Sequence, residues 1–260
     1  DTESESVLKE QAGPTEVAMI QTRDTVLGRL SFIRNSGNQS HQGIKLSYNG
    51  SNEDLLKFVD VFGSKVNFAY NPIFQWSIWT SGTVSYGDTE TTGTKLGSKT
   101  KVKDLSIGFD KQISEDYLLG FGIHESRGEN TVQFERSNVY SDSLSVSSYH
   151  NIALDNNEYI DLILTYGDIE IDGNRYASGT STNHTFYRTG HYYNTSLGFN
   201  KILTTNNLSL NPYGRFSFGQ IELAAYDESP GVEALHVAAQ AVSTSSLVFG
   251  TDIRSMNEIN

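Results

Sequence analysis

The chain has 260 residues, enough for one large β domain or two ordinary ones, with 23 Gly, 4 Pro, 14 Tyr, 13 Phe and no cysteine. The missing cysteines exclude disulfides, thiolate catalysis and cysteine metal sites, and a net charge of -12 argues against nucleic-acid binding, because phosphate contacts need Lys and Arg. No segment approaches the roughly 20 apolar residues of a membrane-spanning helix, yet a spanning β-strand needs only about 9–11 residues, half of which face away from lipid.

The opening DTESESVLKE is acidic and polar, unlike a signal peptide. It reads either as part of a cytosolic chain or as the interior of a longer precursor. Residues 1–15 read as a flexible lead-in. Residues 16–37 read as a helix: Val17, Ile20, Leu27, Leu30 and Ile33 keep a 3–4 spacing, and Asn35, Ser36 and Gly37 form a stop. Arg23, Arg29 and Arg34 give this helix positive charge. Residues 38–72 form a linker with only weak alternation.

From residue 73 to 260 a period of two dominates. Phe74, Trp76, Ile78, Val84 and Tyr86 share one face of the first run, with Trp79 as an exception. Seven more runs follow: Leu105–Phe109, Tyr117–Ile123, Leu144–Leu154, Ile160–Tyr166, Tyr193–Phe199, Leu208–Phe218 and Leu247–Ile253. Large apolar residues occupy one face; glycine, serine, asparagine and acids occupy the other. The eight expected strands, most about 9–13 residues long, are joined alternately by long loops and short turns, the rhythm of outer-membrane barrels. A barrel wall in lipid needs apolar side chains outside and polar or small ones inside, so the inner wall is expected to be watery. Inward glycines leave room for a guest in the lumen, and the helix at 16–37 is the candidate.

The segments WSIWTSGTVSYGD, LSIGFDKQISEDYLLGFGIHES, YIDLILTYGDIEIDGNRY, NTSLGFNKIL, LSLNPYGRFSFG and SSLVFGTDI keep an order and spacing over about 180 residues that resemble the C-terminal β-domain of autotransporters, the type V secretion translocator. The helix segment TRDTVLGRLSFIRNSG resembles that family's plug. The resemblance implies an all-β, antiparallel transmembrane β-barrel with an N-terminal lumen helix, in the outer membrane of a Gram-negative bacterium. It implies a passenger carried to the cell surface, contact with outer-membrane lipid and assembly by the barrel-assembly machinery. The family has twelve strands against the eight found here, and RSMNEIN lacks the family's final amphipathic strand, so a fragment is expected. Another outer-membrane barrel (a porin or an adhesin) and a soluble ligand-binding β-barrel or sandwich are the alternatives.

No enzyme chemistry and no cofactor are expected. The six histidines show no H-E-x-x-H spacing, no G-x-S-x-G elbow occurs, and DNNE at 155–158 reads as a tight turn rather than a Ca²⁺ loop. The candidate site is the helix: Arg23, Arg29 and Arg34 are expected to meet inward acids such as Asp104, Asp110 and Asp161 and seat the helix as a plug. Tyr86, Tyr117, Tyr166 and Trp76 lie near strand ends, fitting either a headgroup belt or ordinary sheet packing.

Overall fold

A computed structural model describes residues 11–36, 41–49, 76–91, 97–132, 137–154, 157–177, 181–205 and 208–255. Among them are one helix, α1 (Gly13–Ser36), and twelve strands: β1 (His41–Asn49), β2 (Ser77–Thr89), β3 (Ser98–Ser114), β4 (Tyr117–Val132), β5 (Ser137–Leu154), β6 (Glu158–Ala177), β7 (Thr182–Lys201), β8 (Leu203–Thr205), β9 (Leu208–Leu223), β10 (Tyr226–Asp227), β11 (His236–Val237) and β12 (Gln240–Ser255). Most of the expected lead-in at 1–15 and linker at 38–72 lies outside the described residues, as does Phe74. The helix α1 opens at Gly13-Pro14, three residues before Glu16. Proline suits the first helical turn, where its missing N–H has no partner to lose.

The sheet runs β1-β2-β3-β4-β5-β6-β7-β9-β12, with β8 paired to β9, and β10–β11 forms a separate small hairpin. From β2 onward every neighbouring pair is antiparallel. Seven of the eight expected runs each fall in one long strand, and the first does so from Ile78 to Tyr86 in β2, Trp76 standing just ahead of it. The strand β1 instead pairs with β2 in parallel, from His41↔Trp79 to Asn49↔Gly87. A parallel neighbour needs a crossover of a dozen residues or more, which the intervening stretch has the length to supply. The helix α1 touches β2 to β7 and β9, so the sheet curls around it and the core lies in the concavity.

The long strands have 13 to 20 residues, and all but β2 exceed the expected lengths. Two stretches expected as long loops, Arg127–Asp142 and Asp168–Thr185, are strand over most of their length. The reason is visible along β6. Its inward residues are Asp161, Ile163, Thr165 and Gly167, then Ile169 and Ile171; its outward residues are Leu164 and Tyr166, then Asp168, Glu170 and Asp172. The pleat never breaks, but the polarity of its faces exchanges at Gly167–Asp168. On β4 the outward face changes in the same way, with Phe121 and Ile123 giving way to Glu125, Arg127 and Glu129, while the inward face stays small and polar from Gly122 through His124 and Ser126 to Asn130.

Each strand therefore has two halves. The half nearer the short turns carries exposed Leu105, Ile107, Phe109, Phe121, Ile123, Leu144, Val146, Leu197 and Phe216, a belt for hydrocarbon. Trp76, Phe109 and Phe121 pack ring against ring on this outer side. The other half is polar and charged outside, and its inner face mixes apolar Ile169, Ile171 and Phe186 with buried Asn130, His184, Arg175 and Arg188. The inner wall carries polar side chains along both halves, as expected, and in the half away from the short turns apolar clusters join them. Nitroxide labels at Leu164 and Glu170 test the two halves of the outer face: the first is expected to be open to dissolved oxygen and the second to a water-soluble relaxant. Equal oxygen access at both positions would place the belt wrongly.

Candidate functional site

The concave face holds α1 through two kinds of contact. Val26, Leu27 and Leu30 pack on Trp79, Leu118, Tyr149 and Ile163, a small apolar core inside the wall. Burying these side chains drives the helix onto the sheet. Beside that core, Arg29 Nε donates to Asp110 Oδ2 (2.7 Å) and Nη2 donates to Asp110 Oδ1 (2.8 Å), with both side chains fully buried. The Tyr149 hydroxyl donates to Asp110 Oδ2 (2.8 Å), and Trp79 Nε1 donates to the Tyr149 oxygen (2.6 Å). The carboxylate thus meets a bidentate guanidinium and a third donor, the arrangement that makes a desolvated pair tolerable.

Inward glycines make the ring positions possible. A Cβ on Gly108 would overlap the Trp79 indole, and one on Gly120 would overlap the Tyr149 ring. The small residues on the inner face therefore seat aromatic side chains that in turn hold the helix.

Arg34 lies in the last turn of α1, where the helix dipole favours a cation. Its Nη1 donates to Asp161 Oδ1 (2.9 Å) and Oδ2 (3.0 Å), while Asn151 Nδ2 and Asn200 Nδ2 each donate to Asp161 at 2.7 Å. Arg23 pairs with its chain neighbour Asp24 (2.9 Å) at a partly exposed position. Asp104 is buried and accepts from Ser106 Oγ (2.9 Å); Ser106 Oγ also meets His124 Nδ1, whose Nε2 meets Ser147 Oγ, both at 2.8 Å. The fold thus brings Arg29 to Asp110 and Arg34 to Asp161, and it keeps Arg23 and Asp104 apart from such pairing.

A second constellation lies at the other end of the concavity. The segment between β9 and β12 folds inward as the β10–β11 hairpin. Arg175 Nε and Nη2 donate to Glu228 Oε1 (2.8 Å) and Oε2 (2.7 Å), both side chains being buried. Hydrogen bonding to Glu228 holds the Arg175 guanidinium above its ordinary pKa. Arg175 Nη2 also donates to the carbonyl of Glu233 (2.6 Å), whose backbone sits in the left-handed region at φ 69°. Arg188 donates to the Ala224 carbonyl and to Oε1 of both Gln11 (2.7 Å) and Gln240 (2.8 Å); Gln11 Nε2 donates to the Tyr226 hydroxyl (2.7 Å). Around them pack Met19, Val139, Ile169, Ile171, Phe186 and Leu223. Arg175, Glu228 and Gln240 went unnoticed in the sequence because they lie in stretches read as loops, Gln11 because it lies in the lead-in, and Arg188 because it falls ahead of the run that starts at Tyr193. Parity was the signal: Arg175 lies an even number of residues from Asp161, and Arg188 an even number from Asn194.

An apolar outer belt, a polar inner wall at the same level and a helix held in the concavity by buried ion pairs define the wall of a transmembrane β-barrel. The family model described as autotransporter beta-domain matches residues 78–258, and the chain belongs to that family. The fold is similar to the translocator domain of autotransporter NalP from Neisseria meningitidis, with 13% identity, a TM-score of 0.61, and coverage of 77% of this chain and 67% of that one. The beta domain of the Bordetella autotransporter Brka is matched at 14% identity and a TM-score of 0.29, covering 69% of this chain and 94% of that one. No curated protein matches the sequence. The chain is an outer-membrane translocator domain of the autotransporter type.

Proposed function

We propose that this domain carries the segment N-terminal to it across the outer membrane and anchors it at the surface, acting as a conduit without chemistry of its own. One observation carries the reading: the direction of α1 in the concavity. Its C-terminal Arg34 sits beside Asp161 and Asn200, next to the short turns, whereas Pro14 lies against Gly128 and Gln11 is held by Arg188 and Tyr226 at the opposite end. Chain preceding α1 therefore leaves at the end where the strands stand in water, and the short turns face the periplasm, as in barrels of this kind. Arg29 with Asp110 and Arg34 with Asp161 seat the helix as a plug; Arg23, paired on its own helix, and Asp104, paired within the wall, take no part in the seating. Outer-membrane lipid faces the belt, and the barrel-assembly machinery folds the domain.

An epitope placed ahead of Gln11 in the full chain, expressed in a Gram-negative cell, tests the reading. Antibody is expected to label it on intact cells. Labelling only after the outer membrane is permeabilised overturns the proposal.

A further inference from the structure

The charges just above the apolar belt are unevenly distributed. On β6 the outward residues there are Asp168, Glu170 and Asp172, and β9 adds Glu222. On β3 they are Lys99, Lys101 and Lys103, continuing without a gap from the outward Leu105, Ile107 and Phe109. One dipeptide step along a strand is about 7 Å, so Lys103 stands at the level where hydrocarbon gives way to headgroups. In the ladder Lys103 is directly opposite Arg127 on β4 and Val84 on β2. Two cations facing each other across a ladder repel, unless an anion lies between them.

A hollow of about 250 Å³ opens at this point, lined by Lys101, Lys103, Arg127, Glu129, Tyr140 and Asp142. The Lys101 ammonium lies over the Tyr86 ring, 5.7 Å from its centre. Arg127 pairs with Glu125 (2.7 Å) and reaches Asp142 (3.5 Å), all three being well exposed, so these pairs are solvent-screened and readily exchanged.

We propose that Lys101, Lys103 and Arg127 form a docking site for the phosphate of a membrane lipid headgroup, the lipid's chains lying along Leu105, Ile107 and Phe109. Lysine and arginine stems lie on apolar surface while their heads reach polar groups, which suits both parts of such a lipid. The glutamate and aspartate at the rim receive the headgroup's own cation or a counterion. The occupant is a lipid rather than a soluble phosphate because the basic column and the apolar column are one continuous face of one strand.

The test uses the full chain folded in detergent, mixed with phosphatidylglycerol and a phosphate-free diacyl glucoside of the same chains, with bound lipid counted by native mass spectrometry. The wild type is expected to retain phosphatidylglycerol preferentially. The double variant K101Q/K103Q is expected to lose about thirtyfold of that preference, from the ordinary contribution of two basic residues near a lipid surface. K111Q, which changes a lysine at the periplasmic end of the same outward face, is expected to leave it intact. Equal retention of both lipids by the wild type, or an equal loss in K111Q, overturns the site. Displacement of the lipid by millimolar inorganic phosphate also overturns it, in favour of a free-anion site. Lipid retention does not depend on export, so its failure and that of the proposed function are separable.

Discussion

Replacing Arg29 by glutamate is expected to open an ion path through the domain reconstituted in a planar bilayer. In the folded chain Arg29 and Asp110 are sealed from water, with both carboxylate oxygens engaged by the guanidinium. Removing one partner of a buried pair costs about 3–5 kcal/mol, because the other charge stays desolvated and alone. Glutamate adds repulsion between like charges where water screens little. The ratio of seated to unseated helix then shifts by about two to four orders of magnitude, enough to turn a rare opening into a common state. Arg23→Glu is the control, since Arg23 has its partner on α1 itself. Unchanged conductance in Arg29→Glu, or an equal rise in Arg23→Glu, would count against the plug.

The second large effect is expected at the surface end. Either Arg175→Met or Glu228→Gln should release the β10–β11 hairpin, read as rapid hydrogen exchange and proteolytic nicking between Ala224 and Ala239. Arg175→Met is the harsher change, since Glu228 would keep its charge with, among the described residues, only the Leu235 N–H still donating to it (2.9 Å). The expected loss is again about 3–5 kcal/mol, drawn from the local stability of the hairpin rather than from the whole wall. Pairing Arg175→Met with Glu228→Leu removes both charges and should restore much of the protection, because apolar replacements of buried pairs are well tolerated. A single variant as protected as the wild type would mean that the latch holds nothing.

How much of this was legible in the sequence depends on the half of the strand considered. Leu105 to Phe109 and Tyr117 to Ile123 announce outward apolar faces because lipid selects for bulk on alternate positions. Beyond Gly167 the alternation persists but changes sign, and beyond Ile123 it fades because both faces of β4 are polar, so Asp168–Asp172 and Glu125–Glu129 read as charged loops although they are paired strand. A residue-type pattern reports which solvent a face meets, and the solvent changes midway along each strand. The arginines of α1 stood out as cations on a helix, but only the curl of the sheet decides which acid each one meets. Trp79 was visible as a residue out of phase; its partner Tyr149 was not, because a tyrosine among serines carries no sign of the hydroxyl contact it makes in three dimensions.

The change of the outward face midway along the strands also sets the height at which the wall rides in the membrane. Sinking the domain by one dipeptide step would draw Lys103, Glu125 and Asp168 into oil, at a cost that climbs with depth, while raising it would strip Leu105, Ile123 and Tyr166 of their cover. Immersion is therefore fixed from both directions, like a waterline painted on a hull. A bilayer too thick for that mark must thin around the protein, because the pattern of side chains leaves the protein no second level at which to float.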